Sequence, residues 1–171
     1  MIGIDVKIEA LRARFASKLF ADVVGNTYVS YGRAFITNRK DKDGRIIDVP
    51  ELQIASTKKY QEVLPNRKIE GHSFFLVSSD IEVKINSELK ADVSIYFSVN
   101  LDTLYPNVTE RAVEYLHRDV LNEIRDSEFD VKKITTGLKA FENFGLVKET
   151  DNMEPFYLVR FDTEINYNQN C

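Results

Sequence analysis

Between Ala91 and Leu101 the chain alternates without a break. Val93, Ile95, Phe97, Val99 and Leu101 fall on one side, and Asp92, Ser94, Tyr96, Ser98 and Asn100 on the other. Successive side chains of a strand point to opposite faces, so this period predicts a strand with one face on a core. A helix would repeat its apolar residues every three or four positions, and a strand buried on both faces would not alternate. The same period returns from Pro155 to Tyr167 through Tyr157, Val159, Phe161, Thr163, Ile165 and Tyr167. Two segments of this kind point to an antiparallel sheet as the framework.

Helical spacing marks two other stretches. Ile8, Leu11, Phe15 and Leu19 share one face of a helix predicted over Asp5 to Phe20, with Asp5 as its N-cap and Gly25-Asn26 ending it. Val113, Leu116, His117, Val120, Leu121 and Ile124 form the apolar stripe of a second helix, which Thr109 is expected to cap and which runs to about Asp126. Its buried side should rest on Val93, Ile95, Phe97 and Val99.

Thr27 to Thr37, rich in Tyr, Val and Phe, reads as a strand. A turn at Asp43-Gly44 and an extended segment from Arg45 to Val49, stopped by Pro50, follow it. Together they predict a hairpin with a protruding charged tip over residues 38–45. Ile54 to Val63 reads as a short helix. Ser73 to Ser78 and Ile81 to Ile85 read as two strands, Val131 to Thr135 as another, and Gly137 to Phe144 as a helical turn. Residues 168–171 form a polar tail. The expected fold is one α+β domain over residues 1–171, a mainly antiparallel sheet with helices packed on one face and a long protruding hairpin. The other face carries Tyr and Phe among small polar residues. In a lone domain there is little reason for them there, whereas a subunit interface would supply one.

Composition narrows the function. The longest apolar runs, Phe74 to Val77 and Phe156 to Val159, have four residues, against roughly 18 for a spanning helix. No membrane span is expected. Met1 to Lys7 lacks the basic start and apolar stretch of a secretory signal. Cys171 is the only cysteine and His72 and His117 are the only histidines, which removes disulfide frameworks and Cys- or His-rich metal sites. Lys and Arg total 23 against 27 Asp and Glu, a formal net charge of −4. Tight DNA binding rests on attraction to phosphates and normally shows as a basic face, so this balance argues against it.

Catalytic motifs are missing from the sequence. It contains no G-x-S-x-G, no Walker-type loop, no G-x-G-x-x-G and no H-E-x-x-H. Asp80-Ile81-Glu82-Val83-Lys84 resembles the acid-x-Lys core of metal-dependent nucleases, with Asp48 as an imaginable upstream acid. Acid-x-Lys also occurs at Asp5, Glu88 and Asp130, and alternating charge on the wet face of a strand yields the same string. Ser56-Thr57-Lys58-Lys59 has the spacing of a Ser nucleophile with a Lys base, without the partner motifs of that class. His117 fits a hydrogen-bonded residue on the apolar stripe of its helix, and His72 stands at a strand start with no constellation around it. Asn107-Val108-Thr109 matches a glycosylation acceptor, though helix capping explains Thr109 equally well.

The C-terminal half carries a resemblance. The strand Ala91 to Leu101 runs into the helix Glu110 to Ile124; next come a segment ending at Phe144-Gly145 and the strand Phe156 to Tyr167. Preceded by an N-terminal helix and a long hairpin, this order resembles the tail terminator or tail completion proteins of tailed bacteriophages. The likeness covers roughly residues 85–167 and is one of element order, not of a signature motif.

The resemblance implies a structural protein of the virion, assembled in the host cytoplasm. It would be a homo-oligomeric ring of about six or twelve copies that joins portal and head to tail. Its partners would be the neighbouring neck, portal or tail proteins, with genome DNA passing through the lumen without specific binding. No active site, cofactor or metal is implied. Arg39, Lys40, Asp41, Lys42, Asp43 and Arg45 in the hairpin tip are the candidate interface residues. A general cytosolic binding or adaptor domain and a Mg-dependent nuclease are the competing readings.

Overall fold

A computed structural model describes residues 3–21, 27–54, 59–63, 69–83, 88–144 and 155–168. In chain order the elements are α1 (Gly3–Arg14), extended by a wider π turn over Phe15–Leu19, β1 (Tyr28–Lys40), β2 (Ile46–Ile54), β3 (Lys59–Glu62), β4 (Gly71–Val83) and β5 (Glu88–Asn100). There follow α2 (Leu101–Leu104), α3 (Ala112–Arg125), β6 (Phe129–Thr136), a 3-10 turn (Gly137–Phe141) and β7 (Phe156–Asn168). The seven described strands form one sheet in the order β3-β2-β1-β4-β5-β7-β6. Every pair is antiparallel except β1 with β4. The architecture is α+β with a mostly antiparallel, open sheet.

The regular pattern of β5 makes it the spine. It pairs with β4 on one side and, from Glu88 to Asn100, with β7 on the other. Val93, Ile95, Phe97 and Val99 are buried with Phe161 and Ile165 of β7, Ile8 and Leu11 of α1, Phe15 of the π turn, and Leu116, Val120 and Ile124 of α3. The Phe15 ring meets Phe97 edge-on at 5.2 Å, and Phe97 meets Phe161 edge-on at 5.8 Å. Arg14 clasps α1 to α3, with Nε 2.9 Å from Glu123 and Nη2 3.0 Å from Asp126. Arg14→Ala leaves the poorly exposed Glu123 carboxylate short of its best donor. It should cost about 1–2 kcal/mol in urea melts, and an unchanged midpoint would mean that Lys18 replaces the guanidinium.

The outward side of β5 has two halves. At one end Phe74 of β4 stacks on Tyr96 of β5, with ring centres 4.8 Å apart and planes 3° from parallel. Phe141 and Phe144, from the segment after β6, close over both rings. This second apolar cluster, with Leu158, Ala34, Val49 and Val63, is made within the chain. The expectation that the aromatics of this face await a neighbouring subunit is therefore corrected. The face is apolar where its own chain covers it and charged beyond that cover.

Several boundaries differ from expectation. β4 is one strand with an irregularity between Val77 and Ile81, not two strands. The segment from Lys59 to Glu62 is a strand paired with β2, not part of a helix. Pro50 does not stop β2. It pairs with Ile36 of β1, and its carbonyl accepts from Val63 N at 3.1 Å just past the end of β3. Arg111, with φ +64 and no capping side chain, precedes α3 in place of Thr109. Asp5 lies inside α1 and its Oδ1 accepts from Arg33 at 3.1 Å. Asn168, expected in the tail, ends β7 opposite Glu88.

Gly71 is required by a close approach. A Cβ there would stand 2.5 Å from the Tyr28 ring, which lies against the strand while its hydroxyl donates to Asn100 O at 2.6 Å. Burial first, and the nearby Glu70 carboxylate after it, push the Tyr28 hydroxyl up to about 12. This contact pins the start of β1 to the start of β4.

Candidate functional site

β1 has two partners in succession. Tyr28 to Ala34 pairs with β4, and Phe35 to Lys40 pairs with β2. The two parallel strands therefore fork after Ala34 and Leu76. From there β1 runs out with β2 and β3 as an arm, and β4 continues to Val83 with β5 as its one described neighbour. Each branch leaves a strand edge without a ladder partner among the described residues, and such an edge is a template for a further chain.

The arm ends in a tight turn. Asp41 N donates to Arg45 O at 2.8 Å, Gly44 N to Asp41 O at 3.1 Å, and Asp41 Oδ1 accepts from Asp43 N at 2.9 Å and Arg45 N at 2.7 Å. Gly44 sits at φ +78, where a side chain is disfavoured. The expected tip of residues 38–45 thus shortens to residues 41–45, and it is organised by its own backbone and Asp41. Arg39 grips Glu62 of β3, with Nη1 donating at 2.7 Å and Nη2 at 3.4 Å. Of the predicted interface residues, Arg39 and Asp41 are committed inside the chain. Lys40, Lys42, Asp43 and Arg45 are exposed, and their side chains make no ion pair with a described residue.

The far branch carries a charge ladder across four strands. Lys90 of β5 lies 3.8 Å from Glu82 of β4 and 2.8 Å from Glu164 of β7. Lys132 of β6 bridges Glu164 at 3.2 Å and Asp130 at 2.8 Å. The hydrogen bond from Lys90 raises its own basicity and draws the Glu164 carboxyl below its usual range. A shallow notch of about 320 Å³ lined by Ile81, Glu82, Lys90 and Asp92 opens beside this ladder.

The nuclease fragment takes a different form here. Glu82 faces Lys90, while the Asp80 side chain and Lys84 lie outside the described residues. Among the described residues no group of three His, Cys, Asp or Glu stands close enough to hold a metal. Ser56 to Lys58 also lie outside the described residues. His117 Nε2 is 3.1 Å from the Tyr157 hydroxyl, a contact between α3 and β7. His72 is buried between Tyr31 and Phe74, with no partner for Nε2. A second cleft, of about 360 Å³, lies between the π turn, α2 and α3. There the Tyr105 hydroxyl donates to Asp119 at 3.0 Å, and Glu123 is taken by Arg14. Burial and the Asp119 charge push the Tyr105 hydroxyl up. The charged groups of this cleft are paired, Glu123 with Arg14 and Lys18 and Asp119 with Arg118.

No protein-family model and no curated protein matches the chain. What can be said of its site comes from the fork.

The turn between β1 and β2 falls where Asp43-Gly44 was expected to place it, and the fork was missed. The signal for the far branch was the run of alternating residues Ile81, Glu82, Val83 directly after an apolar strand, which marks one long strand leaving a core for solvent.

Proposed function

We propose that the chain is a structural ring subunit, of the kind that joins head and tail in the neck of a tailed phage. The observation that carries this reading is the fork. Among the described residues, two separate strand edges carry no ladder partner, β1 beyond Ala34 and β4 from Ile81 to Val83. Two different edges on one subunit suit a heterologous, head-to-tail contact, which closes into a ring when the rotation between copies allows it. The element order of the C-terminal half supports the phage assignment, and the paired charges of the cleft between the π turn, α2 and α3 favour a structural role over a catalytic one. The mildly acidic chain suits a lumen through which DNA passes without sticking.

Negative-stain electron microscopy of the purified full chain, together with its sedimentation velocity, tests this. Closed rings with a central channel are expected, with sedimentation well above that of one chain. A particle that stays monomeric from micromolar to millimolar concentration would end the ring reading.

A further inference from the structure

We infer that the tip of the β1–β2 arm of one copy docks on the outer end of β4–β5 of the next copy. This rests on the ring reading above and names the two surfaces that would meet.

Among the described residues, the two most exposed large apolar side chains are Val83, at 73%, and Ile46, at 71%. They lie on opposite branches of the fork. Val83 is opposite Leu89 and follows Ile81, which is itself 47% exposed. Ile46 is opposite Lys40 at the base of the arm's turn. Exposed alone, each is a cost in water; buried against each other, each removes apolar surface from solvent.

The charges beside them are opposite in sign. The arm from Asn38 to Arg45 has four positive residues against two negative, and its free cations are Lys40, Lys42 and Arg45. At the end of β4–β5 the notch is walled by Glu82 and Asp92. Among the described residues that line it, the one cation is Lys90, which is held by Glu164 at 2.8 Å and stands farther, at 3.8 Å, from Glu82. Asp92 is exposed and makes no ion pair with a described residue. An apolar residue flanked by cations therefore meets an apolar pair flanked by carboxylates. Such complementarity fixes register and suppresses the wrong pairing of arm with arm or edge with edge.

The receiving surface wraps a strand edge. Glu82 shares a face with Lys90, whereas Ile81 and Val83 share the opposite face with Ala91 and Leu89. Between the two faces runs the edge of β4 from Ile81 to Val83, which has no ladder partner among the described residues. A hairpin arriving edge-on reaches both faces at once, and a second copy is the one partner certain to bring both halves of the match.

Charge reversal with mixing tests the contact on the full chain. One variant carries Lys40→Glu, Lys42→Glu and Arg45→Glu; the other carries Glu82→Lys and Asp92→Lys. Each alone should fall to the mass of one chain by light scattering, and an equal mixture should regain the assembled mass, because each reversed arm then finds a reversed edge. Wild-type rings with either variant still assembling alone would overturn the docking surface and leave the ring reading standing. Wild-type monomers would overturn both. A mixture that stays monomeric, with both variants melting as the wild type does, also overturns the contact. As a measurement independent of those variants, chains carrying Ile46→Cys and chains carrying Val83→Cys, both in a Cys171→Ser background, should form a disulfide-linked dimer on oxidation only when mixed. Absence of that link overturns the proposal. So does an arm-reversed variant that assembles normally but loses affinity for duplex DNA, which would place the basic tip on nucleic acid instead.

Discussion

Phe97→Ala should lower the unfolding free energy by about 3–5 kcal/mol, the largest loss expected of any one substitution in this chain. Phe97 is fully buried in the middle of β5. Its ring lies between Phe15 of the π turn and Phe161 of β7, each met edge-on. Truncation removes both aromatic contacts and leaves a cavity between the helical layer and the sheet. The backbone on either side belongs to a strand paired along its whole length with β7, so the site has little freedom to collapse. A domain of this size is stable by about 5–15 kcal/mol, so the loss is a large fraction of the total. Urea unfolding should show a much lower midpoint with an unchanged slope. Phe35→Ala is the internal control, since that ring is exposed on the arm. Similar midpoints for the two variants would mean that Phe97 is not at the centre of the core.

The second large effect is an acid sensitivity set by His72. The residue is 3% exposed, its ring stacks on Phe74 at 6.1 Å and lies near Tyr31 at 6.0 Å, and Nε2 has no partner. Burial without a partner for the charged form pushes its pKa down from 6.5 to about 4. Above pH 6.5 the imidazole is neutral whether the chain is folded or not, so stability is then at its full value. As pH falls from 6.5 the unfolded chain takes up the proton and the folded chain does not, so stability declines until about pH 4, where the folded form also protonates. The total loss is about 3 kcal/mol, with about 2 kcal/mol of it already gone at pH 5. His72→Phe keeps an aromatic ring between Tyr31 and Phe74 and removes the titration. Urea midpoints of wild type and variant at pH 7 and pH 5 isolate the effect, because carboxylate contributions are common to both. Parallel pH dependence in the two proteins would show that His72 is hydrated in the folded state.

The parts of this fold that were legible beforehand are those in which burial on one face imposes a period on neighbouring residues. β5 and β7 alternate because one side of each rests on α1 and α3. α3 carries Leu116, Val120 and Ile124 at helical spacing because that stripe faces the sheet. The charged arm was legible in the same way, from the dipeptide Asp43-Gly44 between two extended runs. All of these are local, within a dozen or so residues.

Features that depend on which distant segments meet were not legible. Tyr96 alternates with polar residues, so its side of β5 reads as a partly polar face kept for a neighbouring subunit. It is dry because Phe141 and Phe144, more than forty residues further on, fold over it. β3 has four residues, too few to establish a period against a helix, and is a strand only because β2 offers an edge. Asp80 to Lys84 carries the string of a metal site within what reads more readily as a solvated strand, and the position of Lys90 across the ladder places Glu82 in a charge pair. The fork is the plainest case. Nothing in β1 marks Ala34 as the place where one partner is exchanged for another, since a strand's own pattern records which face is buried and not which neighbour its edge takes. Backbone hydrogen bonding is the same for every residue, so pairing is decided by topology and by the cores on either side. The alternation, the helical stripe and the turn chemistry were determined residue by residue along the chain; the fork and the covered aromatic face were decided only when the sheet formed between its two cores.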